Sequence, residues 1–350
     1  MNVHLKYMRR CLELARLGAG TVSPNPMVGS VIVLDDKIIG EGWHKQYGQA
    51  HAEVNAIESV KDIALLSRST IYVNLEPCAH FGKTPPCAQL IIKSKIKRVV
   101  VGMLDPNPLV AGKGIELLRE AGVEVICPVL ELECANLNKR FLCYIKNKRP
   151  YVILKWAQTA NGYLSPDANK MSAEQFEQER HITGFLIQKL VHKWRTQEDA
   201  IMVATNTALT DNPALNARAW EGRAPARILL DQHLRLPKTL KLFDNSQVTF
   251  VINGIQEKLD GQTVYVKVDF AGNWFEEMLN RLYEYKIQSI VIEGGATFLN
   301  FLIDENLWDE AIVFYAPKNI SDGIKAPAIS GKIIQTETVD QMNLIQYQNV

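Results

Sequence analysis

Two short stretches of the sequence carry side chains suited to holding a metal: HAEVNAIE, beginning at His51, and LEPCAHFGKTPPCAQL, from Leu75 to Leu90. The second holds Cys78 and Cys87 with eight residues between them, and the first places Glu53 two residues after His51. One imidazole and two thiolates make a zinc site with three protein ligands. The fourth position is then free for water, which marks a catalytic rather than a structural zinc. Zinc lowers the pKa of such a water to roughly 7 and so supplies hydroxide at neutral pH. A nearby carboxylate that is not a ligand can shuttle protons, and Glu53 has that place. Zinc-dependent base deaminases carry H-x-E followed by P-C-x-x-C, with the glutamate as acid and base. Here the two-residue spacer is replaced by AHFGKTPP, long enough to loop out and return with substrate contacts of its own.

Plainer readings compete with this one. A disulfide is disfavoured because the six cysteines are sparse and MNVHLKYMRRCLELARLG lacks the apolar run of a secretory signal. Free thiols or metal ligands, and a cytoplasmic location, are the corresponding expectation. A solvated histidine, a helix-start charge and two unrelated thiols would leave the joint spacing to chance. A structural zinc with His80 as fourth ligand would give Glu53 no role. Catalytic zinc is the stronger reading.

Elements must bring these stretches together. The 350 residues suit two domains, and KNKRP, Lys146 to Pro150, is basic, apolar-poor and closed by proline, placing the boundary between 1–147 and 148–350. Before it, VGSVIVL and IIGEGW read as strands joined by Asp35-Asp36, and Leu5, Met8, Leu12 and Ala15 give a first amphipathic helix. A helix should start near His51, another near Pro86 and a third at GIELLREAG, between the strands TIYVNLE, RVVVGM and VEVICPV. After the boundary, YVILKWA, DAIMVA, ARILLD, VTFVI, TVYVKV, SIVIEG and EAIVFYA read as strands, with helices over 184–196, 274–286 and 296–304. Both halves are α/β. A net charge of +1, 47% hydrophobic residues and 22% charged residues give no bulk attraction for nucleic acid or a membrane surface. No stretch is long enough to cross a bilayer.

SPNPMVGSVIV, HAEVNAI, LEPCAHFGKTPPC and DPNPLVAGKG together resemble, in order, the pyrimidine deaminase half of the bifunctional riboflavin-pathway deaminase–reductase family. The resemblance implies a cytidine-deaminase-like α/β/α domain with His51, Cys78 and Cys87 on zinc and Glu53 as proton shuttle. It also implies that Asn25 helps to hold the pyrimidine, and that His80, Lys83, Asp105 and Asn107 line the ribose-phosphate end. Lys83 is chemically suited to that task, a lysine being a point cation that partners phosphate.

LKWAQTANGYLS, RTQEDAIMVATNTALTDNPALNAR and VIEGGATFLNFLI resemble the reductase half of the same family. That resemblance implies a dihydrofolate-reductase-like domain that uses NADPH. Gly294 and Gly295 follow an apolar strand and precede a helix, a turn that allows close backbone approach and lets the helix N-terminus receive phosphate. By the family match Ala157, Thr207, Asp211, Gly294, Gly295, Ala296 and Thr297 touch NADPH, and Leu215 and Glu293 touch substrate. Arg195 and Arg218 anchor its ribose phosphate, and Lys155 polarises the sugar carbonyl or imine. The family's K-x-A-x-S-x-D-G reads KWAQTANG here, with Thr159 and Asn161, and its S-x-W-I-T reads ERHIT, with Glu179 and His181. Losing that tryptophan removes an aromatic surface beside the cofactor: either His181 stacks there in its place, or the chain is an active deaminase with a weakened or inactive reductase half.

The implied enzyme deaminates 2,5-diamino-6-(5-phosphoribosylamino)pyrimidin-4(3H)-one and then reduces the ribosyl group of 5-amino-6-(5-phosphoribosylamino)uracil, as a homo-oligomer (dimer or tetramer). Two other classes stay open at this stage. A deaminase acting on a nucleic-acid base uses the same zinc chemistry, and a zinc-stabilised binding module would keep the metal without turnover.

Overall fold

The computed structural model describes residues 3–79, 85–108, 110–167 and 170–350. Two compact units divide it, Met1–Lys148 and Arg149–Val350.

The first unit contains α1 (Val3–Arg16), β1 (Gly29–Leu34), β2 (Lys37–Trp43), α2 (Ala52–Glu58), β3 (Thr70–Val73), α3 (Cys87–Lys93), β4 (Arg98–Val101), α4 (Lys113–Glu120), β5 (Glu124–Ile126), α5 (Glu131–Leu137) and α6 (Lys139–Asn147). Its sheet runs β2-β1-β3-β4-β5. The β1–β2 and β1–β3 pairs are antiparallel, and β3–β4 and β4–β5 are parallel. Strand alternation splits the core into two layers. Ile32, Ile71, Val73, Val99 and Val101 pack under α2, α3 and α4, while Val31, Val33, Tyr72 and Val100 pack with Tyr7, Met8 and Leu12 of α1. Asp35 and Asp36, at φ +46° and +58°, make the β1–β2 connection with the two positive values that a type I′ turn requires. Gly42 lets α2 lie directly on β2, since a Cβ there would come within 2.3 Å of the Ala56 nitrogen.

The second unit follows with β6 (Tyr151–Thr159), β7 (Tyr163–Pro166), α7 (Ala173–Glu179), α8 (Phe185–Gln197), β8 (Ala200–Ala204), α9 (Thr205–Asp211), β9 (Ala226–Leu230), β10 (Thr249–Asn253), β11 (Lys258–Asp260), β12 (Thr263–Lys267), α10 (Trp274–Glu284), β13 (Ser289–Ile292), α11 (Ala296–Asp304), β14 (Glu310–Ala316), β15 (Gly323–Lys325), β16 (Lys332–Val339) and β17 (Met342–Gln348). A ten-stranded sheet runs β11-β12-β10-β9-β8-β13-β6-β14-β17-β16. It is parallel from β12 through β14 and antiparallel at both ends. Ile201, Val203, Leu229 and Val251 point to one face, and Met202, Ile228, Phe250 and Ile252 point to the other, under α10 and α11.

Every strand and helix expected from the sequence is present. Missing from the expectation are α5, α6, α7, α9, the short strands β7, β11 and β15, and the C-terminal hairpin of β16 and β17. The hairpin's first strand, KIIQTETV, is exposed over seven of its eight residues and so shows no buried stripe to read. Among the described residues no helix is long and apolar enough to cross a membrane.

Candidate active sites

His51 occupies the N-cap position of α2, and Glu53 lies in that helix's first turn. Cys78 follows β3, and Cys87 opens α3 behind the N-cap Pro86. The ligand atoms of His51, Cys78 and Cys87 all lie within 4.8 Å of one another. His51 Nδ1 is the nitrogen that faces both sulphurs, 3.7 Å from Cys78 Sγ and 3.3 Å from Cys87 Sγ. Tetrahedral zinc with its usual Zn–S and Zn–N lengths holds sulphur and nitrogen about 3.5 Å apart, so these residues fit the metal. The Cys87 N–H donates to Cys78 Sγ at 3.3 Å, and a hydrogen bond from the Cys87 thiol, aided by His51, holds the Cys78 thiol well below its ordinary pKa. A thiolate at that position is what a metal needs.

Glu53 is 3% exposed. Burial, reinforced by the negative Cys78, pushes its carboxyl up to about 7. It lines a cavity of about 290 Å³ together with His51, Cys78, Asn25, Asp105 and Asn107, so five of these predicted residues join the proton carrier at one place. His80 and Lys83 lie outside the described residues. His44, which the sequence reading passed over, lines the same cavity. Its Nδ1 donates to the Ala50 carbonyl at 3.0 Å, which leaves Nε2 of the neutral ring to accept from Asn25 Nδ2 at 3.0 Å. Burial favours that neutral form by lowering the His44 pKa. The only sequence signal for His44 is its place just after strand β2.

In the second unit the adjacent parallel strands β8, β13 and β6 present their carboxyl ends side by side, the edge of an α/β sheet where ligands bind. Lys155 lies on β6, Glu293 follows β13, and α9 with Thr207 follows β8. Lys155 Nζ lies 3.7 Å from Glu293 Oε1, and Arg195 Nη2 donates to Glu293 Oε2 at 2.7 Å. Burial acts to raise the Glu293 carboxyl, but the charges of Arg195 and Lys155 outweigh it and bring it to about 2. Burial lowers the Lys155 pKa against the pull of Glu293. Arg195 and Arg218 meet on Asn216: Arg195 Nη1 donates to its carbonyl and Arg218 Nη1 to its Oδ1, each at 3.1 Å. Arg195 Nε and His192 Nδ1 are buried without a hydrogen-bond partner among the described residues. His192 is pushed down to about 4 by burial and by the two arginines, so at neutral pH its ring is uncharged.

Gly294 and Gly295 lead into α11, with Gly295 as N-cap and Ala296 and Thr297 in the first turn. A Cβ on Gly295 would lie 3.3 Å from Thr207 Oγ1, which brings those two predicted residues together. Such a glycine-lined helix start fits a phosphate-bearing cofactor. Asp211, at the far end of α9, pairs with Arg180 at 3.0 Å, next to the exposed His181. Leu215 is the exception among the substrate residues. The whole residue is 2% exposed, its side chain packs in the core with Val203 and Leu229, and its carbonyl accepts from Gln247 Nε2 at 3.4 Å.

Comparison with known proteins agrees with this layout. Residues 1–103 match the cytidine and deoxycytidylate deaminase zinc-binding region, and residues 150–349 match the RibD C-terminal domain. The chain is 40% identical over 329 residues to the riboflavin biosynthesis protein RibD of Aquifex aeolicus, covering 92% of this chain and 89% of that protein. The chain belongs to the RibD family. RibD of Actinobacillus pleuropneumoniae is also 40% identical, over 342 residues covering 95% of this chain and 88% of that one. A crystal structure from Thermotoga maritima, a diaminohydroxyphosphoribosylaminopyrimidine deaminase/5-amino-6-(5-phosphoribosylamino)uracil reductase, has a TM-score of 0.87 at 36% identity and covers 99% of both chains. The RibD family pairs a zinc-type deaminase with a reductase in riboflavin biosynthesis, and the two units here have its cytidine-deaminase-like and dihydrofolate-reductase-like folds.

Against the RibD motif, Thr159 and Asn161 are departures that the structure accommodates. Thr159 Oγ1 donates to Asn161 Oδ1 at 2.8 Å, and Asn161 Nδ2 donates to the Ile320 carbonyl at 2.7 Å. Aspartate could not make that second bond, having no donor when ionised.

Proposed function

We propose that the first unit deaminates 2,5-diamino-6-(5-phosphoribosylamino)pyrimidin-4(3H)-one and that the second reduces the ribosyl group of the product with NADPH. The observation that carries the reading is the convergence of His51, Cys78 and Cys87, with His51, Cys78 and the buried Glu53 lining one cavity. Bound zinc supplies a Lewis acid that lowers the pKa of a coordinated water to about 7. Glu53, poised near neutrality, takes a proton from the attacking water and returns it to the departing ammonia. Asn25, with its amide N–H committed to His44, offers Oδ1 to a donor on the pyrimidine. Asp105 and Asn107 hold the sugar end. Lys83 is proposed for the phosphate, and His80 for the same end, on the family match.

In the second unit Lys155, held by Glu293, polarises the sugar C1′ carbonyl or imine while NADPH supplies the reducing equivalents. Arg195 and Arg218, gathered by Asn216, take the phosphate, and the unpartnered Arg195 Nε and His192 Nδ1 support a polar ligand there. Gly294, Gly295, Ala296, Thr297, Thr207 and Ala157 receive NADPH, and Asp211 and His181 are assigned to its rim.

Chelation separates the two halves. Removing zinc should abolish ammonia release while NADPH oxidation on already deaminated substrate continues. Loss of both together would contradict two independent sites. Self-association as a dimer or tetramer is also proposed. The exposed edge strand β16, with Ile333 at 55% and Ile334 at 42% exposed, supports it. Light scattering should give a multiple of the 39.4 kDa chain mass, and a single-chain mass would overturn it.

A further inference from the structure

Two residues before Cys78 stands a second buried glutamate that the zinc chemistry does not use. Glu76 is 4% exposed, and its carboxylate accepts four backbone N–H groups. Oε2 accepts from Asp105 at 3.2 Å and Gly112 at 3.0 Å, and Oε1 accepts from Gly114 at 2.9 Å and Ile115 at 3.3 Å. All four donors belong to the segment running from Asp105 into α4. The Glu76 N–H in turn donates to the Met103 carbonyl at 3.0 Å. The backbones also touch, because a Cβ on Gly114 would lie 1.9 Å from the Pro77 carbonyl oxygen, a gap that only glycine tolerates. Within the fastened segment the Asn107 N–H donates to Asp105 Oδ1 at 2.9 Å, so the two residues are set together.

We propose that Glu76 is a positioning residue of the deaminase reaction. Its carboxylate fixes the loop bearing Asp105 and Asn107 against the cavity that holds His51, Glu53 and Cys78. The inference rests on the reading that Asp105 and Asn107 contact the substrate. Glu76 borders the cavity, but both of its oxygens are committed to the loop, so it sets the span between metal and sugar contacts without touching the reacting atoms. Glutamine in its place keeps one acceptor oxygen and turns an NH₂ donor toward two of the four N–H groups, so half of the clamp becomes repulsive.

The test uses the full zinc-loaded chain in four variants: Glu76→Gln, Glu76→Asp, Asn107→Ala and the Glu76→Gln/Asn107→Ala pair. Ammonia release, zinc content and NADPH oxidation by the second unit are measured on each. Glu76→Gln should raise the deaminase KM about tenfold, since a misplacement of about 1 Å can cost that much or more. Its kcat should stay within about threefold of wild type, with zinc at one per chain and NADPH oxidation unchanged. Glu76→Asp, which keeps the charge, should fall between. The double variant should be no worse than Asn107→Ala alone, because both act through one set of contacts. A normal KM in Glu76→Gln beside a raised KM in Asn107→Ala would overturn the proposal. So would loss of zinc and kcat at normal KM, which would make Glu76 a support of the metal loop. A normal KM in Asn107→Ala would remove the underlying substrate reading, and the proposal with it. If Glu76→Gln does not fold, Glu76→Asp is read by the same criteria.

Discussion

Glu53→Gln is expected to keep one zinc per chain and to release ammonia about 10²–10⁴-fold more slowly than wild type, the usual worth of a general acid–base group. Glutamine matches the glutamate in size, so the buried pocket at the start of α2 stays filled. The metal should stay because the converging ligand atoms belong to His51, Cys78 and Cys87 and not to Glu53. What is lost is a group that can both take and return a proton near pH 7, where burial has brought its carboxyl. Metal analysis paired with an ammonia assay checks this. Release within tenfold of wild type would remove the deaminase mechanism, and silence in the wild type as well would favour a zinc-held binding module.

The second large effect is expected in the reductase unit, where two variants at one ion cluster should fail in different ways. Lys155→Met keeps the aliphatic packing beside Phe314, whose ring lies 5.9 Å from Nζ, so folding should be little changed. Its rate of NADPH oxidation should fall about 10²–10³-fold, as when one preorganised electrostatic partner of the transition state is deleted. Glu293→Ala instead leaves Lys155 and Arg195, with 15% and 14% of their side chains exposed, facing each other without the carboxylate between them. Breaking a buried pair in this way costs about 3–5 kcal/mol, which for a unit of this size lowers the melting temperature by roughly 10 °C. Thermal unfolding and NADPH oxidation measured on both variants separate the outcomes. A Lys155→Met chain as active as wild type would reassign the polarising group.

Much of this was legible in the sequence because the informative residues stand at element boundaries. His51 and Glu53 mark a helix start, Cys87 follows the proline that begins α3, and Glu293-Gly294-Gly295 closes an apolar strand. Local rules place such positions without knowledge of the fold. Residues whose role depends on distant partners were hidden. His44 acquires meaning only through Asn25 and the Ala50 carbonyl, Asn216 through two arginines, and Glu76 through backbone N–H groups 29 to 39 positions further along the chain. Leu215 shows the opposite limit. The family match implies a substrate contact there, yet the residue is buried in the core at φ +47°, which no local sequence rule foretells.

The metal ligands also have a topological meaning. Cys78 is 27 positions from His51, and Cys87 a further nine from Cys78, so one ion would act as a three-way cross-link closing two chain loops. Closing such loops in a disordered chain carries an entropic cost that grows only slowly with their length. The α2 and α3 starts packed on the sheet and the Cys87 N–H on Cys78 Sγ draw the same loop ends together, so the fold shares that cost with the metal. Ligation by all three residues would then tie the two helix starts to each other, coupling zinc affinity to the stability of the first unit.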